Sequence, residues 1–226
     1  MSKKKKKVFL GVGHGGSDPG AVGVLTEKVI NLKMASACRD YLESAGVLVL
    51  MSRTKDENDS LTEEVKECNA FDPDLAVDIH NNAGGGDGFE VFYSINGGVG
   101  KALAKNIEAE ILKIGQNSRG TKTRKGKTGK DYYGFIRNTT CPAVICEGVF
   151  VDNAADAAAA DTDSECRAFG EAYAKGILKT LGCVEPEPSE KWYTVQAGAF
   201  RSKDNAAAKL KELQKAGFSD AYIKEQ

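Results

Sequence analysis

The 226-residue chain contains only two histidines, His14 and His80. Each closely follows an apolar run, KVFLGV (7–12) for the first and DLAVDI (74–79) for the second, so both are expected at the ends of buried strands. In a parallel α/β sheet the carboxyl ends of the strands share one edge, where ligands bind. Two histidines on that edge can face each other and share a metal ion. No cysteine or further histidine is suitably placed, so the third ligand is expected to be an acid. Glu27 is the first acid after the His14 loop and opens the first helical pattern. A set of two histidines and one glutamate leaves a position open for water. An ion held there lowers the water's pKa to about 7 and polarises a carbonyl, which is the chemistry of hydrolysis. A second carboxylate outside the ligand set must then take the water's proton and pass it to the leaving group. Glu147, closing the run PAVICE (142–147), is expected to emerge on the same sheet edge. The alternatives are two structural histidines, and at 147 a surface acid or a charge at a helix N-terminus.

Two other motifs suggest phosphate chemistry and fail on context. Gly11–Gly16 (GVGHGG) fits GxGxxG after a strand, but Ser17-Asp18-Pro19-Gly20 interposes a turn before any helix. The acid expected at the end of the second strand is replaced by Ser52-Arg53-Thr54. The run from Gly120 to Thr128 has five residues, not four, between its glycines and follows a helical pattern, so it is not a phosphate loop. Nucleotide binding is not expected. Six basic residues and no acid between Arg119 and Lys130 read instead as a mobile positive loop, either solvated or in contact with an anionic polymer.

Apolar runs at 7–12, 47–51, 74–79, 89–95 and 143–146 alternate with helical patterns over 27–44, 61–71, 99–114 and 164–181. Such alternation predicts an α/β fold with a mostly parallel twisted sheet and helices on both faces. The stretch CVEPEPSEK (183–191) carries two of the five prolines and reads as a stiff linker. It divides a main domain, 1–182, from a tail, 192–226. The tail reads as a small C-terminal β-α-β unit: WYTVQAGAF as a strand, 203–216 as a helix with Ala207, Leu210 and Leu213 inward, and DAYIKE as a second strand.

Lys+Arg (31) nearly balances Asp+Glu (32), so no global field recruits nucleic acid or a membrane surface. The start MSKKKKK is basic, but only Val8, Phe9 and Leu10 follow before the glycines, too few for a secretory signal. Synthesis in the cytoplasm without a signal peptide and no membrane insertion are expected. The six cysteines lack a CxxC pair and read as reduced, mostly buried residues.

The segments GHGGSDPGAVG, Glu27, SRTKDE, Asn69-Ala70, DIHNNAGGGDGFEVFYS, Arg119-Gly120 and PAVICEGVFVDN stand in one order. That order resembles the zinc-dependent N-acetylmuramoyl-L-alanine amidases of the amidase type 3 family, over about residues 6–182. The resemblance implies hydrolysis of the amide between N-acetylmuramic acid and L-alanine in bacterial peptidoglycan. It implies one Zn2+ per chain on His14, Glu27 and His80, with Glu147 catalytic. Asn81, Asn82 and Arg119 become candidates for contact with substrate. The family's common arginine before the Asn-Ala pair is replaced around Lys66. The tail resembles half of a sporulation-related (SPOR-like) repeat, a module that binds peptidoglycan. A cell-wall lytic enzyme acting after release, as a phage endolysin or a sporulation autolysin, follows. The rival readings are a zinc peptidase cutting within the wall peptide and a noncatalytic wall-binding protein.

Overall fold

The structure, a computed structural model, describes residues 5–186, 197–218 and 222–223. Two compact units divide the chain between Pro186 and Glu187. In order, the first holds β1 (Lys7–Val12), α1 (Glu27–Ser44), β2 (Leu48–Met51), α2 (Leu61–Phe71), β3 (Leu75–Asn82) and β4 (Phe89–Tyr93). There follow α3 (Gly98–Lys113), β5 (Ser118–Lys122), α4 (Gly134–Asn138), β6 (Ala143–Phe150), α5 (Ala154–Ala157) and α6 (Asp163–Leu181).

The six strands form one sheet in the order β2-β1-β3-β6-β4-β5. Strands β2, β1, β3 and β6 are mutually parallel. Strand β4 runs antiparallel to β6, and β5 runs parallel to β4, so that margin of the sheet is reversed. The period-2 alternation of the strands sorts two cores. Leu10, Val77 and Ile79 face one way, onto Met34 of α1, Ile107 of α3 and Tyr173 of α6. Phe9, Ala76 and Ile145 face the other, onto Cys68 of α2 and Phe135 of α4. Helices therefore cover both faces, as the alternating pattern predicts.

Local chemistry starts the helices. Ser60 and Glu63 form a reciprocal capping box at α2, and Thr162 and Glu165 do the same at α6. Helix α1 has no side-chain cap, and its first residue, Glu27, points its carboxylate elsewhere. All six cysteines are unbridged and four are buried. Among the described residues no helix is long and apolar enough to cross a membrane.

Three details differ from the sequence reading. Strands β3 and β6 run on to Asn82 and Phe150, so His80 and Glu147 lie inside their ladders, not just at the strand ends. Part of the expected positive loop is the strand β5, whose residues SRGTK carry no apolar signature. The short helices α4 and α5 were not expected. In the second unit, α7 (Lys203–Lys215) matches the predicted helix, and Ala207, Leu210 and Leu213 are half-buried on it. The expected strands of the tail fall largely at 192–196 and 220–225, which, apart from Tyr222 and Ile223, lie outside the described residues, as does most of the linker. Residues 197–200 carry no regular structure.

Candidate metal centre

The carboxylate of Glu27 lies between the two histidines. Its Oε2 is 3.2 Å from His14 Nε2, and its Oε1 is 3.0 Å from His80 Nδ1. Each oxygen also accepts one backbone N–H, from Ala21 at 2.8 Å and from Asn81 at 3.0 Å. A buried acid at the first position of α1, held by two amides and the positive end of the helix, has one orientation available. One donor atom from each of the three residues falls within 4.8 Å of the others. Donors around a tetrahedral zinc stand about 3.3 Å apart, given metal–ligand distances of about 2.0–2.2 Å. The set therefore fits such an ion after small side-chain adjustments.

The outer nitrogen of each ring also faces a carboxylate. His14 Nδ1 is 2.8 Å from Asp18 Oδ2, and His80 Nε2 is 3.3 Å from Asp78 Oδ2. Such partners fix the tautomer, leaving the inward nitrogen free to bind metal. The rings cross edge to face with centroids 5.0 Å apart. Burial pulls the His80 pKa down, but Asp78 and Glu27 outweigh it and hold the value well above the ordinary range. The Glu27 pKa is pushed up by burial and then far down by His14 and His80. The pocket thus binds positive charge even without an ion.

Two backbone features make this geometry possible. His14 sits at φ 64°, a left-handed conformation that costs a side-chain-bearing residue about 1–3 kcal/mol and turns its ring back over the edge. Gly13 lies against the His80 ring: a Cβ there would fall 2.2 Å from Cε1. Buried Arg53 holds the segment down by donating to the carbonyls of Val12, Gly13, Lys28 and Lys55, tying the end of β1 to the first turn of α1. The glycines that mimic a dinucleotide motif are used in this packing.

Glu147 stands opposite His80 in the β3–β6 ladder and opposite Glu90 in the β4–β6 ladder. Burial pushes its carboxyl up to about 7, against the lowering effect of His80. An acid balanced near neutrality can both accept and return a proton. Glu90 organises the rim: it accepts from Asn82 Nδ2 at 3.0 Å and from Arg119 Nε at 3.0 Å, and it pairs with Lys122. Arg119 also lies over the Phe150 ring at 5.0 Å. Farther along, the Arg124 guanidinium stacks 3.7 Å from the Tyr132 ring centre. Half of the expected loop cations are thus engaged, while Lys125, Lys127 and Lys130 stay exposed.

His14, Glu27 and His80 thus meet on one edge with Glu147 opposite His80, while Asn82 at the end of β3 and Arg119 of β5 converge on Glu90. Asn81 does not join them. It is 3% exposed and turned to the opposite face, where it donates to Asn31 and accepts from the Val149 N–H. The period-2 pleat sends neighbours of His80 the other way, which corrects the expectation that Asn81 lines the site.

Comparison with known proteins decides the lineage. The family model described as N-acetylmuramoyl-L-alanine amidase matches residues 8–179, and a SPOR domain model matches 172–224. The chain belongs to the N-acetylmuramoyl-L-alanine amidase family. A sporulation-specific N-acetylmuramoyl-L-alanine amidase of Bacillus subtilis is 34% identical over 222 residues, covering 96% of this chain and 84% of the relative. The endolysin of Bacillus phage SPP1 is 32% identical over 235 residues, covering 97% and 84%. Among solved structures, Cwp6 from Clostridium difficile aligns with a TM-score of 0.77 at 37% identity, over 80% of this chain and 30% of that one. The catalytic domain of the amidase CwlV from Bacillus (Paenibacillus) polymyxa aligns at 0.71 and 29%, over 79% and 99%.

As a member of this amidase family the chain is a cell-wall lytic hydrolase, and zinc dependence is typical of its relatives. Sequence reasoning missed the residues that orient the site. Asp78 was findable, since two positions before His80 on a strand is the same face. Glu90 and Arg53 carry no such local signal.

Proposed function

We propose that the chain hydrolyses the bond between N-acetylmuramic acid and L-alanine of peptidoglycan with one Zn2+ held by His14, Glu27 and His80. The observation that carries this reading is the three-donor cluster with Glu147 beside it across the β3–β6 ladder. When bound, the ion supplies Lewis acidity toward the amide carbonyl and acidifies water at its open position. Glu147 takes the proton from the attacking water and returns it to the leaving nitrogen of L-alanine, a role suited to a carboxyl with a pKa of about 7. Asp18 and Asp78 hold the histidine rings in register. Arg119, with 41% of its side chain exposed on the rim, and Asn82 beside it receive polar groups of the wall polymer.

In the same reading, 1–182 is the catalytic domain, 183–191 a linker, and 192–226 a partial SPOR-like repeat that retains the enzyme on peptidoglycan. The SPOR match begins inside α6, which packs in the first unit, so the physical boundary is better drawn near Pro186. Digestion of purified peptidoglycan, with products analysed by mass, tests the bond choice. Free N-terminal L-alanine together with unmodified glycan is the expected result. New amino groups within the stem peptide or cross-link would instead establish the peptidase reading, and absence of any cleavage the wall-binding one.

A further inference from the structure

Two carboxyl oxygens inside the first unit accept no hydrogen bond from any described residue, Glu64 Oε1 and Asp78 Oδ1. They converge on one spot. A Cβ added to Gly11 would lie 2.2 Å from the first and 2.6 Å from the second. Glu64 reaches there from α2 and is 7% exposed, while Asp78 reaches there from β3 and is 3% exposed. Two ionised carboxylates cannot share a dry site, and an orphaned buried acceptor is costly. A single proton between them removes both penalties. Asp78 is already engaged by His80 through its other oxygen, so Glu64 is the group placed to donate. The other oxygen of Asp78 faces His80 Nε2 at 3.3 Å, while His80 Nδ1 faces Glu27.

We propose that Glu64 and Asp78 form a hydrogen-bonded carboxyl pair that fixes the His80 ring from behind, so that both are positioning residues for the metal centre. The inference rests on the reading of His80 as a metal ligand. The Glu64 O–H donates to Asp78 Oδ1, and Asp78 Oδ2 accepts the His80 Nε2–H, which leaves the Nδ1 lone pair directed at the cluster. His14 needs only one such partner, because Asp18 is largely exposed and water can solvate its free valences. Asp78 is 3% exposed, so a third residue completes it. The absence of a side chain at Gly11 leaves room for the contact.

The test compares Glu64→Gln, which keeps a donor in nearly the same shape, with Glu64→Met, which removes it. Zinc affinity is read by competition with a chromophoric chelator, and ligand geometry from the visible bands of the cobalt-loaded protein. We expect Glu64→Gln to stay within about threefold of the parent with the same cobalt bands, and Glu64→Met to bind zinc about 10–100-fold more weakly with altered bands. Unchanged affinity and bands in Glu64→Met, or equal losses in both variants, would overturn the proposal. If Glu64→Met does not fold, infrared difference spectroscopy decides. A protonated-carboxyl band at neutral pH that is lost in Glu64→Gln but kept in Glu147→Gln supports the pair, and a parent spectrum with no band that Glu64→Gln removes refutes it. His80→Ala separates the two levels: parent-like zinc binding there would defeat the ligand reading itself, while the infrared band reports on the carboxyl pair independently.

Discussion

Glu147 lies directly across the β3–β6 ladder from His80, so the carboxyl proposed to move the proton and the ring proposed to hold the ion face each other on one rung of the sheet. The pairing is set by backbone hydrogen bonds, and side-chain replacement at 147 should leave the metal ligands where they are. Glu147→Gln is therefore expected to retain zinc at the parent level while amide hydrolysis falls about 10²–10⁴-fold. Parallel metal analysis and wall-clearing rates check it. Loss of metal along with activity would show that Glu147 holds the ion and does not move the proton.

The outer carboxylate at His14 is predicted to matter through the metal. Asp18→Asn replaces a carboxylate 2.8 Å from His14 Nδ1 by an amide, and zinc affinity should weaken about 10–100-fold with little change in Tm of the metal-free protein. Gly13→Ala probes the same centre sterically, because its Cβ would fall on the His80 ring. Chelator competition on both variants is the measurement. Parent-like affinity in Gly13→Ala would mean that the His80 ring is not held where the metal requires it.

Much of the candidate site is legible in the sequence, for reasons that can be named. Two histidines behind two apolar runs leave few arrangements in a parallel sheet, and PAVICE puts Glu147 on the third strand of the same edge. What was not readable depends on contacts between distant segments. Strand β5 has no apolar pattern, because its place comes from pairing with β4 and from the Arg119 and Lys122 contacts to Glu90. Glu64 looks like one more acid of a solvated helix until α2 packs against Gly11. Asn81 was misjudged because proximity in sequence to His80 was read as proximity in the site, whereas the pleat separates them.

Stability should depend on pH through Glu90. Burial raises its pKa, but Lys122 and Arg119 more than reverse this and hold the folded value below the ordinary one. A depressed carboxylate stabilises the fold above its unfolded pKa, and that contribution is lost as pH falls through the folded value. Thermal melts between about pH 6 and about pH 3 should therefore show a steeper decline in Tm for the parent than for Glu90→Gln. Equal slopes would remove Glu90 from the acid sensitivity.

The two compact units predict separable functions. A chain ending at Pro186 keeps the whole sheet, both cores and the metal centre. It should hydrolyse small soluble muramyl peptides at the parent rate while sedimenting less with intact wall sacculi. Unchanged sedimentation would place wall affinity in the first unit.

The central claim is that one ion on His14, Glu27 and His80 is required for amide hydrolysis. Zinc titrated into metal-free protein, with release of L-alanine-terminated peptide followed by mass, tests it directly. Activity is predicted to be absent without metal and to rise in proportion until one equivalent per chain. Full activity in rigorously metal-free protein, or the same titration curve in His80→Ala, would contradict the account.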